Sequence, residues 1–166
     1  MRLLFNMNGL SDEYIFSFLD NFYPTENFHF MGIYDISSRD NINKIFDESN
    51  VSSNRFCILF LQGFLSVGHF VYLLFNDEYI LYADPLGFPC LNQAMRKKFS
   101  TLKKPVFFNS RQIQDISSKY CGLFVCFFAL NFSHNKNIPM LPFQSKNLIQ
   151  NDTICIENLK KIVDFY

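Results

Sequence analysis

The segment Cys121–Leu130, CGLFVCFFAL, runs for ten residues without a charged or hydrogen-bonding polar side chain, apart from its thiols. Such a run must be buried, and its lack of alternation over that length predicts a helix rather than a strand. It is too short to cross a bilayer, which takes about 20 apolar residues. The polar stretch before it, Gln112–Tyr120, reads as a loop that stops abruptly at Cys121. Cysteine is among the most buried residue types, so Cys121 can be read as a core thiol. That is the default reading; the other makes it a nucleophile at a helix mouth, provided the rest of the chain supplies a base and an acid to orient it.

The remaining pattern predicts where those groups would come from. Ser11 is placed to cap a helix with Asp12 and Glu13 in its first turn and Ile15, Phe16, Phe18, Leu19 and Phe22 at helical spacing. Phe28–Ile36 reads as extended, with Gly32 an interruption, and a short helix is expected over Ile42–Phe46. Phe56–Leu61 is an apolar run of the kind a buried strand shows. Gly68–Phe75 and Tyr79–Ala83 read as two strands of a hairpin around Asn76-Asp77-Glu78, stopped by Pro85 and Gly87. Leu91–Leu102 reads as a helix and Val106–Phe108 as a short strand. A loop containing Pro139 and Pro142 leads to a last amphipathic helix over Ile154–Phe165. This order predicts an α+β fold: a central mixed, mostly antiparallel sheet flanked by helices. With 166 residues, 49% of them apolar, and no repeat or linker, residues 1–166 are expected to form a single domain.

Charge and cysteine usage narrow the function classes. The 15 basic and 15 acidic residues cancel, so no global field draws the chain to nucleic acid. Arg96, Lys97, Lys98, Lys103 and Lys104 nevertheless fall together without an intervening acid, a candidate polyanion-binding cluster or a solvated helix face. The N-terminal apolar run is too short for a signal peptide or membrane anchor, which predicts a protein that is not secreted and has reduced thiols. The five cysteines lack paired Cys-x-x-Cys spacing and the three histidines are scattered, so no metal site is expected.

Three polar groups stand at the ends of predicted elements. His69 opens the first hairpin strand and Asp84 follows the second, eight residues before and seven after a centre near Asp77. Adjacent strands lie about 5 Å apart, which puts a carboxyl within reach of an imidazole nitrogen. An acid there would fix the tautomer of the ring and stabilise its protonated form. If the helix begins at Cys121, its unpaired N–H groups and dipole favour a thiolate, and the Cys121 N–H faces a forming oxyanion. Gln114, seven residues earlier, can add an amide donor to the same oxyanion. Gly122 would leave room for a substrate backbone.

The ordered set GHF (Gly68–Phe70), YADPLG (Tyr82–Gly87), Gln114 and YCGLFVC (Tyr120–Cys126) resembles the adenovirus-type cysteine endopeptidases, the adenain family. Relatives in virophages and Maverick/Polinton-like elements are also similar, and FMGIYD (Phe30–Asp35) matches a family segment in style. The resemblance spans about Phe30 to Leu130. It implies a protease in which His69 is the general base, Asp84 orients it, Gln114 lines the oxyanion hole and Cys121 attacks. Gly68, Phe70 and Gly122 would then belong to the substrate cleft.

The substrates implied are viral capsid or core precursors cleaved during particle maturation, often beside glycine. The implied setting is the virion and the infected-cell cytoplasm or nucleus, with the enzyme a monomer. No cofactor is needed for such chemistry. The clan also includes SUMO-specific proteases, a second reading, although their glutamine usually lies one residue nearer the cysteine. A non-catalytic module with the same fold is a third. Two departures concern the site: Phe70 stands where the family usually has tryptophan, and Asp84 where adenovirus enzymes carry glutamate. A third concerns activation. Adenovirus enzymes respond to DNA and to a viral peptide disulfide-bonded to a cysteine at the position of Lys103, so a disulfide-linked activator is not expected here. DNA stays a candidate activator through the basic cluster.

Overall fold

In a computed structural model, residues 10–22, 28–47, 54–62, 68–132, 143 and 146–163 are described. Helix α1 (Asp12–Phe22) leads to strand β1 (His29–Asp35), helix α2 (Arg39–Ile45) and strands β2 (Arg55–Leu61), β3 (His69–Phe75) and β4 (Ile80–Ala83). Helix α3 (Gln93–Thr101), strand β5 (Val106–Phe108) and helices α4 (Cys121–Phe132) and α5 (Leu148–Val163) follow. The Pro139 and Pro142 loop and Phe165 lie outside the described residues.

The five strands form one sheet in chain order. Strands β2, β3 and β4 pair antiparallel in the centre, while β1 joins β2 and β5 joins β4 in parallel. Each parallel pair is linked through a helix, α2 or α3, because two parallel neighbours need a crossover. The fold is therefore α+β with a mixed sheet, as the pattern predicts, and each edge strand is the parallel one.

Both sheet faces are covered, which explains why β2 and β3 read as unbroken apolar runs. On one face Phe56, Ile58, Phe70, Tyr72, Leu74 and Leu81 pack with α1, α4 and α5. On the other, Cys57, Leu59, Val71, Leu73, Phe75 and Tyr82 pack with α2 and α3. Burying each of these large side chains contributes roughly 1.5–3 kcal/mol. Phe128 packs against Tyr72 at a 6.3 Å ring separation, which seats α4 on β3.

Local signals explain most element ends. Ser11 caps α1, its hydroxyl 3.4 Å from the Tyr14 N–H. Gly32, at φ 122°, sits in the register shift that interrupts β1. Asn76 shapes the hairpin turn by accepting from the N–H groups of Glu78 and Tyr79 at 2.9 and 2.7 Å. Two helices start earlier than their apolar periodicity suggests. Helix α2 begins at Arg39 because Ser38 caps it, accepting from the Asn41 N–H. Helix α5 begins at Leu148, where the Asn147 carbonyl takes the first helical hydrogen bonds. Its first turns contain Asn151 and Asp152, polar yet buried, which hide the helix from a reading based on hydrophobic spacing.

Candidate active site

His69 begins β3 and Asp84 follows the last residue of β4, so both stand at the same end of the sheet. The hairpin register pairs Tyr72 with Ala83, and its continuation sets Asp84 opposite Val71. His69 is thus two residues along on the same face, a diagonal neighbour rather than a directly opposite one. The imidazole spans that offset: His69 Nε2 lies 2.7 Å from Asp84 Oδ1, with both side chains about 2% exposed. Helix α4 begins at Cys121, and the thiol hydrogen-bonds the same imidazole. Nε2 is committed to Asp84, so Nδ1 is the ring nitrogen left for sulfur. Burial opposes a charge on the ring, but the hydrogen bonds and charges of Asp84 and Cys121 outweigh it and raise His69 to about 9.

The five cysteines divide by burial. Cys57, Cys90, Cys126 and Cys155 are buried, whereas Cys121 is half-exposed. Burial pushes the Cys90 thiol up to about 11, and raises those of Cys57, Cys126 and Cys155 as well. At the mouth of α4, the Tyr120 carbonyl accepts from the N–H groups of Leu123 and Phe124 at 2.9 and 3.2 Å. The N–H groups of Cys121 and Gly122 precede these and have no carbonyl to bond within the helix.

Gln114 is held against the turn that carries the acid. The Pro85 carbonyl accepts from the N–H groups of Ile113 and Gln114 at 2.9 and 3.0 Å. Gln114 is 2% exposed, and its Nε2 donates to the Ser118 carbonyl at 2.9 Å. That bond uses one of the two amide hydrogens. Helix α5 supports this loop from behind, with Asn151 Nδ2 donating to the Ile113 carbonyl at 2.9 Å. Asp152 hydrogen-bonds Ser118, and burial raises its carboxyl to about 6.

The turn Asp84-Pro85-Leu86-Gly87 is closed by the Gly87 N–H on the Asp84 carbonyl at 2.8 Å. Gly87, at φ 72°, is required twice over. Its backbone is left-handed, and a Cβ there would lie 2.6 Å from Gln112 N and 2.7 Å from the Arg111 carbonyl carbon. A side chain would therefore drive the Gln114 loop off the turn. Asn109, at the end of β5, contacts Asp84 through both ends of its amide. Asn109 does not stand out as a site residue in the sequence, and Gly87 does so only as a strand stop and as the last residue of the YADPLG motif.

One glycine role differs from expectation. The space beside Gly122 is filled by α1 and the residue leading into it: a Cβ there would meet Ile15 Cδ1 at 2.9 Å and Leu10 Cβ at 3.0 Å. The missing side chain lets α1 close on α4, so it does not open room for a substrate. Gly68, at φ 86°, turns the chain into β3, and the Phe60 ring occupies its Cβ direction. Phe70 does line an open cavity of about 530 Å³, together with Leu10, Asp12, Ile33 and Phe60. Its ring packs on Phe60 at 5.1 Å.

The basic cluster lies on α3 and the turn after it. Arg96, Lys97 and Lys103 are exposed and Lys98 is half-buried, while Lys104 Nζ donates to the Asn76 carbonyl at 2.7 Å. One of the five cations thus braces the hairpin turn. Among the described residues no group of three or more His, Cys, Asp or Glu could hold a metal, and no helix is long and apolar enough to cross a membrane.

No family model and no curated protein sequence matches the chain. Solved structures do. The central domain of Lpg1148 from Legionella pneumophila superposes with a TM-score of 0.52 at 14% identity, covering 91% of each chain. The SUMO protease Ulp1, with its catalytic cysteine oxidised to a sulfinic acid, gives 0.52 at 16%, over 89% of this chain and 75% of that one. The C-terminal Ulp1 protease domain in complex with Smt3, the yeast ortholog of SUMO, gives 0.54 at 16%, over 89% and 74%. The chain shares the fold of the Ulp1 protease domain.

Proposed function

We propose that this protein is a cysteine endopeptidase that uses Cys121, His69, Asp84 and Gln114. The reading is carried by one observation: a buried imidazole that bonds Asp84 through Nε2 also bonds the only half-exposed thiol among the five cysteines. His69 Nδ1 accepts the Cys121 proton, and sulfur attacks the scissile carbonyl carbon. The oxyanion that forms is met by the Cys121 N–H and the second amide hydrogen of Gln114. His69 then gives its proton to the departing amine as the tetrahedral intermediate collapses to a thioester. Water, deprotonated by His69, attacks the thioester, and sulfur leaves with the acid product released. Asp84 holds the ring and its charge throughout without taking the proton.

For the substrate, the YCGLFVC segment and the seven-residue Gln114–Cys121 spacing favour processing of virion precursor proteins in the adenain manner. A ubiquitin-like-modifier protease is the second reading, favoured by the fold shared with SUMO protease domains. Purified protein would be offered a SUMO-type fluorogenic conjugate, a ubiquitin-type conjugate and a Gly-containing capsid-derived peptide. Cleavage that disappears in Cys121→Ala, with circular dichroism unchanged, supports the protease, and the preferred probe selects the substrate class. Cleavage that survives Cys121→Ala overturns the mechanism. Absence of both cleavage and stoichiometric labelling by a cysteine-directed suicide probe would leave a non-catalytic module.

A further inference from the structure

We infer that Asn109 is a positioning residue for the catalytic dyad, holding the main chain of Asp84 so that its carboxyl meets His69; this rests on the reading of His69 and Asp84 given above. The Asp84 N–H donates to Asn109 Oδ1 at 2.6 Å, and Asn109 Nδ2 donates to the Asp84 carbonyl at 2.6 Å. The side chain thereby supplies the acceptor and donor that a neighbouring strand would supply. Asp84 needs this because the β4–β5 ladder ends at Tyr82 and Phe108, and Pro85 begins a turn.

Both peptide groups around the Asp84 Cα bond Asn109, the carbonyl also accepting from the Gly87 N–H of the turn while the N–H has Asn109 as its acceptor, so side-chain torsions are left to aim the carboxyl. Those are set in turn by the Leu86 N–H, 2.7 Å from Oδ1, and by His69 Nε2 at 2.7 Å on the same oxygen. An error in the Asp84 backbone is transmitted directly to the imidazole.

The chemistry of the residue is specific. Asn109 Nδ2 also donates to the Arg111 carbonyl at 3.3 Å, at the start of the loop that carries Gln114. One acceptor and two donors are thus used on a stem of a single methylene. Aspartate keeps the acceptor and loses both donors, serine offers one donor, and glutamine is a methylene too long.

The test reads the ring directly. In a Cys121→Ala background, so that the thiol does not share the titration, His69 is titrated by NMR with and without Asn109→Ala. The inference expects the midpoint to fall by at least about one pH unit with native near-UV circular dichroism retained. With the thiol present, Asn109→Ala should lower kcat about a hundredfold while KM stays within twofold, the signature of a reacting group displaced by a fraction of an ångström. If Asn109→Ala does not fold, Asn109→Ser is used; its single hydroxyl on a shorter stem cannot bond both peptide groups of Asp84 and it adds no charge near the ring, so the same fall in midpoint is expected. An unchanged His69 midpoint in a folded variant overturns the inference. The titration needs no substrate, so loss of the protease reading would appear separately, as a wild-type protein inert towards every probe.

Discussion

Asp84→Asn is the substitution that most directly interrogates the proposed dyad. Asp84 Oδ1 accepts from both the Leu86 N–H and His69 Nε2. In the variant, the amide oxygen must stay on the Leu86 N–H, because losing that bond would orphan a buried donor. The same oxygen can go on accepting from His69 Nε2, so the ring keeps its tautomer and what the variant loses is the negative charge beside it. That charge sets the magnitude. His69 is raised from 6.5 to about 9, and at about 1.4 kcal/mol per pH unit the whole elevation is worth about 3 kcal/mol. Asp84 and Cys121 share that effect, so loss of the acid alone accounts for up to a few hundredfold in rate. Loss of the charge should therefore lower kcat by roughly 10–10²-fold or somewhat more. The assay is kcat and KM on the preferred fluorogenic probe across pH, paired with the His69 titration in the Cys121→Ala background. A folded Asp84→Asn protein within tenfold of wild-type kcat, with an unmoved His69 midpoint, would refute the reasoning.

Further outcomes are expected elsewhere. Cys126→Ala removes a buried thiol from α4 without touching the dyad; it should cost about 1–2 kcal/mol in urea unfolding and leave kcat within twofold. Gly87→Ala should cost about 2 kcal/mol or more, from its left-handed backbone and the clash with residues 111 and 112. It should also lower kcat more than KM, because the displaced loop carries Gln114. The His69 pKa is raised on folding, so its contribution to stability is complete below about pH 6.5 and is lost as pH rises through about 9. The difference in unfolding free energy between wild type and Asp84→Asn should therefore shrink across that window in denaturant titrations. If the α3 cluster serves as a DNA-responsive site, added duplex should raise activity with a steep salt dependence, and Lys97→Glu should abolish the response. A flat response would leave Arg96, Lys97, Lys98 and Lys103 as a solvated surface.

Much of the site is legible in the chain because local rules act on it. The apolar run after Cys121 could only be a buried helix, and its abrupt polar boundary marks where that helix starts. The Asn76-Asp77-Glu78 turn sets the hairpin register closely enough to bring His69 and Asp84 to one end of the sheet. Their diagonal offset needs the observed register, since a shift of one residue in the hairpin centre moves each partner along the strand.

What the tertiary structure alone decides concerns contacts between segments distant in sequence. Gly122 reads as an opening for substrate, but Ile15 of α1 and Leu10 just before that helix, more than a hundred residues earlier, fill the space. Asn109 appeared unremarkable at the end of a three-residue strand, yet the parallel pairing of β5 with β4 brings its amide to Asp84. Asn151 and Asp152 broke the apolar spacing of α5 because they face the Gln114 loop rather than the core. Periodicity reports which face of an element is buried. It carries no information about which polar groups a distant segment will require there, and that requirement is settled only when the sheet, α4 and α5 close around the dyad.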